Sequence, residues 1–178
     1  MKSFLSTVTT VVVTLGTAMI AAPAMASEQA VAIGKASCGK LANTTAPFIL
    51  VLETGDDFLG SITQCVADAK LKSASISGLG QLNTPTLAYF TSNPNDKPAL
   101  TTLPGYYELS SFNGNVTNNA GKYYTHVHAI LGDKEFHGIA GHIDAATVGL
   151  TVEITIIPLL APVERAVDPK TGFGPIVQ

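Results

Sequence analysis

All four histidines of the 178-residue chain fall in two short runs, Tyr123-Tyr124-Thr125-His126-Val127-His128-Ala129-Ile130 and Phe136-His137-Gly138-Ile139-Ala140-Gly141-His142. Both runs read as strands, joined by the turn-like Gly132-Asp133-Lys134-Glu135. Residues two apart on a strand point the same way, so His126 and His128 present two imidazoles on one face of a sheet. Pairing His142 opposite His126 adds a third, whereas a one-residue slip sends His142 to the far face. In that register Ala140 lies opposite His128 and Gly138 opposite Ile130, and such small residues leave room for an ion and its water. Three neutral imidazoles suit a divalent transition metal, zinc first, and leave one coordination position open. No carboxylate-rich loop of the calcium type competes with them. The competing reading of His126, His128 and His142 is a hydrogen-bonded polar cluster; His137, out of phase with His142, reads as structural.

The elements that must position these residues are visible in the patterning. Phe48 to Leu52 is a short apolar run bounded by Pro47 and Thr54-Gly55, the signature of a strand. Phe58, Ile62, Cys65, Val66 and Ala69 then recur at helical spacing, which predicts an amphipathic helix over Asp57 to Lys70 packed on a sheet. Asp56 and Asp57 precede it and read as a helix cap in preference to a catalytic acid pair. Ser73 to Ser77 and Thr86 to Phe90 read as separate strands broken at Gly78-Leu79-Gly80. That Gly-x-Gly lacks the completion of a nucleotide loop and is read as a tight bend or close backbone approach. Ser92 to Pro104 reads as a loop, Tyr106 to Val116 as a strand, and Asn118 to Gly121 as the turn into the histidine strand. Asp144-Ala145-Ala146 is expected to be a turn, followed by an alternating strand from Gly149 to Ile157. Residues 161–178, with three prolines, read as an irregular surface tail.

Lys2, an uncharged apolar stretch from Phe4 to Ile20, and Ala24-Met25-Ala26 have the form of a secretory leader over 1–26, preferred to a membrane anchor because the stretch is rich in Ser and Thr. The expected mature chain starts at Ser27, is periplasmic or secreted, and has no membrane insertion; 27–46 is read as an N-terminal extension with one short strand around Ala30 to Ile33. Losing Lys2 and no acid moves the formal charge from −3 to −4. An acidic domain without a basic run has no footprint for nucleic acid. Cys38 and Cys65, the two cysteines, can close a disulfide in an exported protein, but Cys65 also suits a buried thiol on the helix face, and the sequence leaves both open.

The order of these elements resembles the PPC domain, the plants and prokaryotes conserved domain also found in plant AT-hook nuclear proteins. The resemblance rests on Leu52-Glu53-Thr54-Gly55-Asp56-Asp57-Phe58-Leu59, Ile76-Ser77-Gly78-Leu79-Gly80-Gln81-Leu82, Gly105 to Asn115, and His126-Val127-His128 with Ala140-Gly141-His142. It covers Phe48 to Pro158 and sets the domain at 47–160. It implies an α+β fold, a mostly antiparallel sheet with a flanking helix, assembling as a homotrimer, and it implies a metal at His126, His128 and His142, with Ala-Gly-His standing where similar prokaryotic members have Gly-Gly-His. The leading expectation is an exported trimeric domain that holds a metal and binds a small molecule or anion, or acts in protein interaction. The alternatives are a metal-dependent hydrolase or lyase using metal-activated water, with Glu108 as candidate base, and a metal-free interaction module. For Glu108 itself the competing reading is a solvated or subunit-interface glutamate.

Overall fold

The structure is a computed structural model in which residues 32–93 and 95–177 are described. The expected leader lies outside the described residues. The elements run β1 (Ala32–Gly34), a 3-10 helix (Lys35–Leu41), β2 (Phe48–Glu53), α1 (Phe58–Asp68), β3 (Ser73–Tyr89), β4 (Ala99–Thr102), β5 (Tyr106–Asn119), β6 (Lys122–Gly132), β7 (Gly138–Leu159) and β8 (Glu164–Arg165). The fold is α+β, as expected. Among the described residues no helix is long and apolar enough to cross a membrane.

The strands follow the order β1-β2-β7-β6-β5-β3-β4, and β3 also pairs with β7, so that β7, β6, β5 and β3 form a closed ring. All these pairings are antiparallel except β1 with β2; β8 adds a short parallel pairing to β5. Closure was not legible in the sequence, because two predicted breaks are not breaks. β3 runs through Gly78-Leu79-Gly80 by shifting register there against β5. The glycine is needed for a close approach: a Cβ on Gly78 would run into the backbone carbonyl of Glu153 on β7 and the ring of Phe112. β7 likewise passes through Asp144-Ala145-Ala146 as strand, with Ile143 paired to Leu87 and Ala145 to Thr86 across an irregularity that absorbs Asp144. The expected turn is therefore corrected to a bulge, because pairing outweighs the weak strand propensity of Asp and Ala. The expected loop over 92–104 contains β4, and the extension carries the 3-10 helix as well as β1.

α1 starts as predicted. Asp57 caps it, its carboxylate accepting from the amide of Gly60 at 3.2 Å. Asp56 pairs with Lys35 and accepts from the amide of Glu53, so of the two acids Asp57 is the helix cap. The helix buries Phe58, Ile62, Cys65 and Val66, and Phe58 meets Phe112 of β5 edge-on at 5.3 Å. Cys65 is joined to Cys38 by a disulfide that ties the 3-10 helix to α1, with Cα atoms 5.2 Å apart.

On β6 the alternation separates two jobs. Tyr123, Thr125 and Val127 face the helix: the Tyr123 hydroxyl donates to the carbonyl of Leu71, Thr125 shares a hydroxyl hydrogen bond with Thr63 of α1, and Val127 is fully buried. Tyr124, His126 and His128 are left for the opposite face.

Candidate functional site

His128 pairs directly with His142, and Ile130 with Ala140. The register is two residues away from the expected His126–His142 pairing, and because the strand period is two, the parity and hence the face are unchanged. The displacement comes from the connection. Asp133 organises a loop by accepting from the amides of Glu135 (2.9 Å) and His137 (2.8 Å), which places the first strand pair at Gly132 and Gly138. His137 sits in that loop, exposed, with Nδ1 3.2 Å from the Asp133 carboxylate, and takes no part in the cluster.

The three remaining rings converge. Their centroids lie 5.2 Å (His126–His128), 5.0 Å (His126–His142) and 5.3 Å (His128–His142) apart. One ring nitrogen from each lies within 4.8 Å of the others. Ligands about 2.1 Å from a tetrahedral ion stand about 3.4 Å from one another. Side-chain rotation on strands already locked in register is the adjustment needed to reach that spacing. The donor set fits a borderline-soft divalent ion, and among the described residues His126, His128 and His142 form the group able to hold one.

Electrostatics keeps two of these lone pairs available. Burial pushes His126 down to about 4, helped by the neighbouring His142, by Arg165 and by His128. His142, 9 % exposed, is also lowered, first by burial and then by His128, with Asp144 partly opposing. The sign for stability follows. An unfolded histidine protonates as pH falls through about 6.5, whereas folded His126 resists until about 4, so the unfolded chain binds more protons in that window. Metal-free protein is therefore expected to lose stability as pH falls from about 7 to about 5, through the shared behaviour of His126 and His142. The urea midpoint measures this, and in His126→Gln the same pH interval should produce a smaller drop; an equal drop would rule out the assignment.

The surrounding wall was not anticipated. A cavity of ≈ 490 Å³ contains the three histidines together with Phe90, Tyr124, Arg165 and Phe173. Phe90 stands at the end of β3 and meets His142 edge-on at 5.2 Å and Phe173 at 5.5 Å. Arg165 comes from β8 in the tail, beside the end of β5. Its Nε donates to Thr117 Oγ1 (2.9 Å), Nη1 to the Gly174 carbonyl (2.8 Å), and Nη2 to Asn115 Oδ1 (3.0 Å) and to His126 Nδ1 (3.3 Å). The guanidinium also lies 5.3 Å from the centre of the Tyr124 ring. Asn115 and Thr117 pair across the ladder with His126 and Tyr124, which is why they share this face. The sole signal in the sequence for this constellation was that spacing of Asn115 and Thr117 on a predicted strand; the tail has no periodicity that would have exposed Arg165 or Phe173.

Glu108 is placed elsewhere. It pairs with Gly132 at the other end of β5, about 16–23 Å along the strand from Asn113 and Asn115, the residues opposite His128 and His126. Its carboxylate accepts from Gln81 Nε2 at 2.9 Å and borders a separate depression with Leu79 and Leu150. Within one chain, therefore, Glu108 does not reach the histidine site and is not its base. The acid that acts on the cluster electrostatically is Asp144, through His142.

Solved structures with this fold include a plant- and prokaryote-conserved protein of Pyrococcus horikoshii, 25% identical, covering 75% of this chain and 92% of that one with a TM-score of 0.69. A metal-containing protein of Archaeoglobus fulgidus is 26% identical over 75% of this chain and 94% of that one, TM-score 0.68. A candidate DNA-binding protein of Ralstonia eutropha JMP134 is 26% identical over 77% and 94%, TM-score 0.69. Among curated proteins, none matches the sequence. The model of the Plants and Prokaryotes Conserved (PCC) domain matches residues 39–160, a span that includes all three clustered histidines. With the ring of strands, the capping helix and that match in agreement, the chain belongs to the Plants and Prokaryotes Conserved domain family.

Proposed function

We propose that this protein is an exported homotrimeric domain that binds a divalent transition metal, zinc in the first place, at His126, His128 and His142, and uses the remaining coordination position for a small ligand. The observation that carries the reading is the convergence of three ring nitrogens within 4.8 Å on paired strands. The Archaeoglobus relative is a metal-containing protein, which supports it. Bound there, a divalent ion supplies Lewis acidity and polarises whatever sits in its open position. The chain's own contribution is to hold three imidazoles in register, to wall the position with Phe90, Tyr124 and Phe173, and to set one guanidinium beside it.

We favour a binding role over a hydrolase or lyase, since among the described residues of this chain the cavity lining offers no carboxylate to serve as base. Export is supported by the leader-like sequence of 1–26 and by the Cys38–Cys65 disulfide, a bond that persists in oxidising compartments. Trimer formation is supported by the exposed Leu79 and Leu150, which border one depression away from the metal site. Nucleic acid does not enter the reading, despite the Ralstonia relative, because the chain carries a net charge of −3 and no basic run.

Elemental analysis of the purified full chain after zinc loading and desalting tests the metal site. About one zinc per chain is expected, and in His126→Ala at least about a hundredfold weaker retention, since removing a ligand should exceed the about 10- to 100-fold losses seen for outer-shell changes. Sub-stoichiometric zinc in the wild type, or equal retention in the variant, would leave the metal-free interaction module as the standing alternative.

A further inference from the structure

Four residues lining the histidine cavity, Arg165, Phe173, Gly174 and Pro175, come from outside the family match, in the stretch that follows residue 160. Arg165 is half-buried and makes no ion pair among the described residues. A guanidinium has five N–H donors and no acceptor. Four are engaged: Nε on Thr117, Nη1 on Gly174, and Nη2 on both Asn115 and His126. The last of these contacts decides the matter. Because arginine can only donate, Nδ1 of His126 must be the unprotonated nitrogen, and a neutral imidazole has a single lone pair. That lone pair cannot serve Arg165 and a metal together. If Nδ1 is the ligand, Arg165 must release it; if Nε2 is the ligand, the proton moves to Nδ1 and faces an N–H.

Metal loading therefore frees one hydrogen on Nη2, while Nη1 has a second hydrogen already unengaged. A terminal donor on each of the two outer nitrogens is the pattern that recognises a carboxylate. The other walls say what the carboxylate carries. Phe90, Phe173 and Tyr124 are aromatic, and ≈ 490 Å³ accommodates a ring or a branched chain. Among the described residues no lysine lines the cavity, and its aromatic walls suit an anion that carries an apolar body over a phosphate, which is polar on every side.

Building on the metal reading above, we propose that Arg165, brought over the histidines by the tail, makes this site a receptor for a small monocarboxylate with an apolar body, bound alongside the metal and not without it. Arg165 acts in two opposed directions: it competes with the metal for His126 and it recruits the anion.

Titration calorimetry of the full chain with benzoate, benzyl alcohol and inorganic phosphate, with and without zinc, tests the proposal, zinc being counted in the same samples. In zinc-loaded protein benzoate is expected to bind at least about tenfold more tightly than benzyl alcohol, and at least about tenfold more tightly than to zinc-free protein, as a hydrogen-bonded charge requires. Arg165→Met is expected to weaken benzoate by about tenfold or more while zinc binds more tightly, since the competitor for His126 has gone. Should Arg165→Met fail to fold, Arg165→Lys, which keeps the charge but not the paired donors, is expected to retain zinc and bind benzoate severalfold more weakly. Benzoate affinity untouched by these substitutions, phosphate binding more tightly than benzoate, or parallel losses of zinc and benzoate as from a merely structural residue, would each overturn the proposal. Absence of zinc uptake overturns it together with the metal site, whereas zinc uptake with indifferent benzoate overturns it alone.

Discussion

Replacing Cys38 and Cys65 together by alanine is expected to lower the stability of the domain by about 3.5 kcal/mol, the chain-entropy value for a loop of this size. The two cysteines are 27 positions apart, and the bond holds the 3-10 helix against α1 while both sulfurs are fully enclosed. Alanine leaves no unpaired polar group behind in that enclosure, so the loss reports the cross-link and a small cavity. For a domain of this size the change corresponds to a fall in Tm of roughly 10 °C by calorimetry. The histidines look away from α1, on the opposite face of β6, so zinc stoichiometry should survive the substitution. A loss under about 1 kcal/mol would show that the bond adds little beyond what packing already provides.

The second large effect couples fold and site. Gly114 of β5 lies opposite Val127, and a Cβ there would strike the carbonyl oxygen of His126 and approach Val127 Cγ2 at 3.0 Å. Neither backbone can step aside without opening the ladder that aligns His126 and His128. Gly114→Ala is expected to destabilise by about 3 kcal/mol, the upper end for overpacking. Zinc should also be held less tightly, because the displaced carbonyl belongs to a ligand residue. Urea unfolding and zinc titration of the one variant measure both, and a stability within about 1 kcal/mol of wild type would mean the strands accommodate the methyl group.

The histidine cluster was legible because strand alternation is a rule of parity. His126 and His128 share a face whatever their partner, and a register off by two still delivers His142 to the same side. The helix was equally plain, with its cap at Asp57 and its buried face of Phe58, Ile62, Cys65 and Val66. What escaped was decided by contacts distant in sequence. Gly78 and Asp144 carry the local marks of a strand break, yet pairing on both sides of β3 and across β7 carries each strand through. Arg165 escaped for another reason: a single arginine in a proline-containing tail has no period, and its role exists only because β8 settles beside β5 near Asn115 and Thr117. Glu108 was singled out for lying inside a motif strand, but residues several positions apart stand many ångströms from one another once the strand is extended.

The strand path ends in β1, three residues long, and β4, four residues long. Unsatisfied amides on a long terminal strand would invite a foreign chain to extend the sheet, the first step toward fibrils. Among the described residues both ends of that path are stubs, and in the ring behind them β3 and β7 occupy each other's sides. A protein built this way can display apolar side chains such as Leu79 and Leu150 for a partner from two strands, β3 and β7, whose backbones are already engaged with each other.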